Sequence, residues 1–282
     1  MTVPSYDGPA AAASVIMSPT VRGNPVLFVE GICEVCLITH HFPEYETQII
    51  PCGGHEGVKE ALKAIEKWEA ENKTSLKVLG FIDRDYGSRQ RIRKITTSNY
   101  RDVEVDMYKS RAGERLLKEK ASRNKCADSR AALDEAIDEL RHIGLVRKFN
   151  SENGNRWNIN DINLERCIDR EGRIDTNKFF LLFQQKNDIK KGDIDVLRGM
   201  LGNYEGVMTE AVIRGHDLSI TIGKWLRKRI GNRTKQETSW SAIEEDLRLA
   251  TERTELLRYH WARRVREHLT SQIQPTQNKL RG

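Results

Sequence analysis

The apolar run Val26-Leu27-Phe28-Val29 has no polar interruption, the pattern of a strand buried on both faces. It stops at Glu30-Gly31, and the amphipathic stretch from Ile32 to His41 predicts a short helix. Thr47 to Ile50 predicts a second strand, closed by Cys52-Gly53-Gly54. Val58, Leu62, Ile65 and Trp68 recur at helical spacing and predict a helix over 56–71. Leu76 to Ile82 is a third apolar strand, ending at Asp83-Arg84-Asp85, and Ile92 to Thr97 a fourth. Strands and helices alternating in this way build a parallel sheet with right-handed crossovers. In such α/β sheets, sites form beyond the carboxyl ends of the strands.

The pattern differs on either side of this block. Residues 1–24 are rich in Pro, Ser and Ala and predict a loose or edge segment. From about residue 107, strand-like runs become rare and helical spacing dominates, as in Leu133, Ile137 and Leu140. Asn153-Gly154 reads as a turn, and Trp157 to Ile162 as a short strand or extended segment. Leu218, Ile222, Leu226 and Ile230 define a helix preceded by Asp217, with Gly231 placed to end it, and one long helix is expected over 240–268. The expected organisation is an N-terminal segment (1–24), an α/β core (25–106), a helical insertion (107–210) and a C-terminal helical region (211–282).

Composition narrows the classes. The 282 residues are 38% hydrophobic and 31% charged, which is polar for a globular protein yet not the composition of a disordered chain. A net charge of +6 permits a nucleic-acid partner without demanding one. No apolar run approaches the roughly 18 residues of a membrane span. Ala10 to Met17 lacks a basic flank and does not read as a signal peptide. Five cysteines are too few for a disulfide scaffold of this length, so the expectation is the cytoplasm, with reduced thiols and no membrane partner.

Three carboxylates stand out by position. Glu30 closes the first strand, and Asp83 and Asp85 close the third. Residues i and i+2 of a strand point the same way, so the two aspartates are expected on one face with Arg84 on the other. If the first and third strands are neighbours, Glu30 joins them at one edge of the sheet. Carboxylates crowded together repel, and a divalent cation removes the conflict. Mg²⁺ takes one or two carboxylates with waters and substrate phosphate oxygens, so the cluster suits phosphoryl chemistry. Taken singly, each of these residues also reads as a turn former or a helix cap.

Leu27-Phe28-Val29-Glu30-Gly31 and Phe81-Ile82-Asp83-Arg84-Asp85-Tyr86 together resemble the TOPRIM domain of topoisomerases, bacterial primases and OLD-type nucleases: a Glu after strand one and a DxD after strand three. Cys52-Gly53-Gly54 resembles its small-residue turn after strand two, and Glu34 falls where relatives often carry an acid. Asp102-Val103-Glu104, Ile143-Gly144-Leu145-Val146-Arg147 and Gly215-His216-Asp217 are similar to a narrower family of stand-alone TOPRIM proteins with a helical insertion, the AriB type. The likeness spans roughly residues 26–230. It implies an α/β TOPRIM core and a metal-dependent nuclease, in the AriB type an RNase that attacks tRNA in antiphage defence under the control of a separate ATPase. It implies Mg²⁺, with Mn²⁺ as a substitute, on Asp83 and Asp85. Glu30 would be a ligand or the general acid/base, and Glu104 a further ligand. The chain has no G-x-x-x-x-G-K-[ST], so an ATPase activity would come from another chain.

Other features have two readings each. Residues 84–125 carry 13 Lys/Arg against 6 Asp/Glu, and Arg84, Arg89, Arg91, Arg93 and Lys94 directly follow the DxD. They read as a phosphate-tracking surface or as a solvated face. Lys224 with Arg227 to Arg229, and Arg263 to Arg266, are further basic clusters. Cys33 and Cys36 form a lone CxxC on the first helix, expected to pack as small hydrophobes rather than bind zinc or carry redox chemistry. His216-Asp217 reads as an accessory catalytic pair, or Asp217 as a helix N-cap. Trp225, Trp240 and Trp261 have core-compatible spacing, and the insertion's exposed faces suit a partner or a homodimer contact. No paired CxxC set supports a primase. The rivals to an RNase are a DNA nuclease of the OLD type and a non-catalytic subunit that binds nucleic acid or docks on an ATPase.

Overall fold

A computed structural model of the chain describes residues 7–86 and 94–271, which fall into two compact units. The first takes in the chain up to Asp83, then 94–98 and the segment from Leu256 onward; the second takes in 84–86 and 99–255.

The first unit is α/β. Strands β1 (Val26–Val29), β2 (Ile49–Pro51), β3 (Val78–Ile82) and β4 (Ile95–Thr97) form an all-parallel sheet in the order β2-β1-β3-β4. The register pairs Val29 with both Pro51 and Phe81, so the carboxyl ends of β1 and β3 are level. Helix α3 (Ile32–His41) leads from β1 out to β2, and α4 (His55–Asn72) leads back across β1 to β3. Crossovers in opposite directions that are both right-handed place these helices on opposite faces.

On one face Val26, Phe28 and Val78 pack with Val58, Leu62 and Ile65 of α4. Ala11, Ala12 and Val15 of α1 (Gly8–Met17) join the same core. From Asp7 onward the expected loose segment is instead helical: α1, then α2 (Pro19–Arg22), with α1 capped by the Asp7 carboxylate accepting the Ala10 N–H at 2.8 Å. Alanines and a glycine gave no amphipathic signal, yet they permit close packing on α4. On the other face the Phe81 ring stacks on Trp261 with centroids 4.6 Å apart. Trp261 belongs to α14 (His260–Thr270), the last described helix, which packs on β1, β3 and β4.

The second unit is helical: α5 (Val103–Lys109), α6 (Arg111–Lys120), α7 (Ser129–Glu139), α8 (Arg141–Glu152), α9 (Thr176–Asn187), α10 (Lys191–Leu201), α11 (Gly215–Lys228), α12 (Trp240–Ala250) and α13 (Arg253–Leu256), which crosses the unit boundary. The single helix expected over 240–268 is instead α12, α13 and α14, interrupted where the chain passes from the second unit to the first. Helix α11 ends at Lys228, short of Gly231, and its Leu218, Ile222, Trp225 and Leu226 are buried. Trp225 is fully buried and donates its indole N–H to the Gly172 carbonyl, whereas Trp240 is 48% exposed and is not a core residue. Among the described residues no helix is long and apolar enough to cross a membrane.

Candidate functional site

In the first unit, the carboxyl ends of β1 and β3 bring Glu30 and Asp83 together. Glu30 Oε1 accepts the Asp83 backbone N–H at 2.7 Å. The turn after β2 closes on the same edge: the Cys52 N–H donates to the Val29 carbonyl at 2.9 Å and the Gly54 N–H to the Glu30 carbonyl at 2.8 Å. Gly53 and Gly54 have φ of 73° and 110°, a left-handed path that a side chain at either position would strain. That path starts α4 beside Glu30 and sets His55, its first residue, with Nδ1 3.6 Å from Glu30 Oε1. This is ion-pair range if His55 is protonated, and too long for a hydrogen bond. His55 was not singled out from the sequence, although its place directly after a Gly-Gly turn at a strand's carboxyl end was a legible signal.

Glu30 is anchored by one oxygen and open at the other. Its side chain is 20% exposed, and among the described residues every contact it makes runs through Oε1, leaving Oε2 without a partner. Glu34, one turn into α3, serves the helix itself. Its carboxylate accepts the Gly31 N–H at 2.8 Å and closes the first turn.

The expectation for Asp85 is corrected. Strand β3 ends at Ile82, and Asp85 sits in a turn with φ of 48°, so strand alternation does not place it with Asp83. Asp85 belongs to the second unit, where its N–H donates to the Arg101 carbonyl at 2.9 Å and its carboxylate meets the Arg101 guanidinium at 3.3 Å. Glu104 lies in the first turn of α5, also in the second unit. The α11 backbone crosses so near it that a Cβ on Gly215 would come within 2.2 Å of the Glu104 Cβ. The neighbouring Asp102 caps α5 through the Val105 N–H (3.1 Å), accepts the Gly215 N–H (2.9 Å) and pairs with Arg101 (2.9 Å). Burial pushes its carboxyl up, against the lowering pull of Arg101 and these amides.

Helix α11 begins at Gly215, so Asp217 is in its first turn and is not the N-cap. It is buried and paired with Arg147 at 2.9 Å. His216 is half-exposed, with Nδ1 3.2 Å from Glu244 and its ring edge-on to Trp240. Of the basic residues after the DxD, the Arg84 guanidinium donates to the Asn99 carbonyl at 2.9 Å, and Lys94 pairs with Glu69 at 2.7 Å. Arg89, Arg91 and Arg93 lie outside the described residues. Further along, Arg101, Lys109, Arg115 and Lys120 all hold carboxylates of their own unit, so much of the local positive excess is spent internally. Cys33 and Cys36 do not pack as small hydrophobes: both are exposed on α3, whose buried face is taken by Val35, Leu37 and Ile38.

Among the described residues no three His, Cys, Asp or Glu side chains converge as a ready-made metal cage. Mg²⁺ does not require one, because it keeps several waters and takes only one or two protein carboxylates. The residues at the strand ends, Glu30 with one open oxygen and Asp83 joined to it through its backbone N–H, are of the type that Mg²⁺ takes and do not make up a closed zinc site. Compared with protein-family models and with curated proteins, the chain finds no match.

Proposed function

We propose that the protein is a TOPRIM-type, Mg²⁺-dependent nuclease: a cytoplasmic RNase that attacks tRNA as the effector of an antiphage defence system, held in check by a separate ATPase. The observation that carries the reading is the Glu30–Asp83 contact at the level carboxyl ends of adjacent parallel strands, with Glu30 Oε2 open. The choice of tRNA, the defence role and the ATPase rest on the AriB-type resemblance.

Mg²⁺, when bound, supplies Lewis-acid stabilisation of charge on the scissile phosphate and activates the attacking water. The carboxylates of Glu30 and Asp83 would hold it. The Asp83 amide fixes the Glu30 rotamer, so the carboxylate is set before substrate arrives. His55 Nδ1 faces the Glu30 carboxylate at ion-pair range, and the α4 amino end behind it favours a phosphate at this edge.

The second reading is a non-catalytic subunit that binds nucleic acid or docks on an ATPase. Its support is the Asp85–Arg101 pair, in which a cation of the protein itself already offsets the charge of one motif carboxylate. Induced expression in a bacterial host separates the readings. Wild type and Glu30→Ala are compared, with and without an ATPase partner and a phage trigger, and total RNA and DNA are resolved on gels. Fragmented small RNA with wild type alone supports the RNase. Cut DNA in its place supports an OLD-type nuclease. Intact nucleic acid with both chains under every condition supports the non-catalytic subunit.

A further inference from the structure

Cys33 and Cys36 are a pair that the nuclease reading leaves unused. Both are exposed on α3, three residues apart, and neither is in a disulfide. Two positions at this spacing on an α-helix have Cα atoms about 5 Å apart, within the range of roughly 4.4–6.8 Å that a disulfide spans. Their Cβ atoms, about 5–6 Å apart on an undistorted helix, must close by about 1–2 Å to reach disulfide geometry. That adjustment is small, and it falls in the first turns of a helix, where the backbone is held by fewer hydrogen bonds. The rest of the chain offers no competing pair. Cys52 and Cys167 are buried, and burial pushes their thiols up to about 12 and about 11, which keeps them protonated and unreactive. Cys126 is only partly exposed and lies in the other unit. A CxxC at the start of the helix in a βαβ unit is also the setting in which dithiols exchange with disulfides.

We infer that Cys33 and Cys36 form a reversible dithiol–disulfide centre that exchanges with small-molecule disulfides of the glutathione class. One thiolate attacks a sulfur of oxidised glutathione, forming a mixed disulfide and releasing one glutathione thiolate. The second cysteine thiolate then attacks the protein sulfur of that mixed disulfide, closing the Cys33–Cys36 bond and releasing the second glutathione. The protein dithiol loses two electrons and two protons, and oxidised glutathione becomes two reduced molecules. A bond that tightens a helical turn and faces solvent belongs to the labile class of disulfides rather than the structural one.

The inference is independent of the nuclease reading, and its test does not use activity. The full chain is equilibrated in buffers of graded reduced and oxidised glutathione, quenched with acid, alkylated and weighed by mass spectrometry. The expected result is that wild type loses two alkylatable thiols together with one midpoint inside the glutathione range, without adding glutathione, and that dithiothreitol restores both. Cys33→Ser and Cys36→Ser, both exposed and expected to fold, should instead each accumulate one bound glutathione. The inference is overturned if wild type takes up glutathione on each cysteine separately, or if both thiols remain alkylatable in the most oxidising buffer while a small dithiol control is oxidised.

Discussion

Glu30 of the α/β unit and the buried aspartates of the helical unit are held in opposite ways. In the helical unit, Asp217 is buried against Arg147 and Asp102 against Arg101, and Asp102 accepts two backbone N–H groups as well. At the strand ends of the α/β unit, Glu30 is fixed through one oxygen by an amide and keeps the other open. A buried carboxylate paired with arginine is committed to the fold, because removing either partner strands a charge. A carboxylate fixed at one oxygen and open at the other is oriented without being used up. That contrast, more than residue type, separates Glu30 from the other acids that the sequence brought forward.

The contrast predicts where substitutions act. Arg147→Ala leaves Asp217 buried without its cation and should destabilise the chain by about 3–5 kcal/mol, read as a lowered urea midpoint. A loss under 1 kcal/mol would show that the pair is not committed as described. Glu30→Gln keeps an oxygen for the Asp83 amide but removes the charge. On the proposed nuclease reading it should lower turnover about a hundred- to a thousandfold while leaving the urea midpoint near wild type. Unchanged cleavage by this variant would break the comparison at its open end.

Smaller effects sharpen it. Glu34→Ala removes the acceptor for the Gly31 N–H and should cost about 1 kcal/mol, whereas Glu34→Gln keeps an acceptor and should retain both stability and activity. A loss of activity in Glu34→Gln with the fold intact would move Glu34 from the cap to the site. The smallest effect expected is one of pH. His268, on α14, places Nε2 2.9 Å from the Val26 carbonyl, with Lys77 and Arg264 nearby, and its burial lowers its folded pKa below 6.5. The unfolded chain then binds the proton more tightly. The stability His268 contributes is complete above about pH 6.5 and is lost as the pH falls through the lowered folded value. Denaturant midpoints between pH 7.5 and 5.5 should fall less in His268→Gln than in wild type; equal slopes would rule this out.

Where local pattern decided the structure, the sequence was a good guide. The Val26 to Val29 run is β1, Ile32 to His41 is α3, and the 56–71 periodicity is α4 with one residue added at each end. The meeting of Glu30 and Asp83 was legible as soon as β1 and β3 were taken as neighbours, because both residues directly follow their strands. What escaped depends on distant parts of the chain. Nothing local shows that α14 returns to cover β1, β3 and β4, since its apolar stripe would pack equally well on another helix. Asp85 escaped because period-2 reasoning holds only while a strand continues, and β3 ends at Ile82. The basic excess after the DxD was legible as charge but not as pairing, because its partners, such as Glu210, Asp246 and Glu255, lie far along the chain. Cys33 and Cys36 were assigned to the wrong face of α3 because Val35, Leu37 and Ile38 already fill the buried one.

The central claim is that Glu30 and Asp83 hold a divalent cation, and Mn²⁺ binding measured by electron paramagnetic resonance tests it without requiring a substrate, a partner or a trigger. Wild type should remove free Mn²⁺ signal with a saturable site that excess Mg²⁺ empties, and the Glu30→Gln/Asp83→Asn double variant, with an unchanged circular dichroism spectrum, should not. Equal Mn²⁺ binding by both chains, or none by either, would contradict the claim.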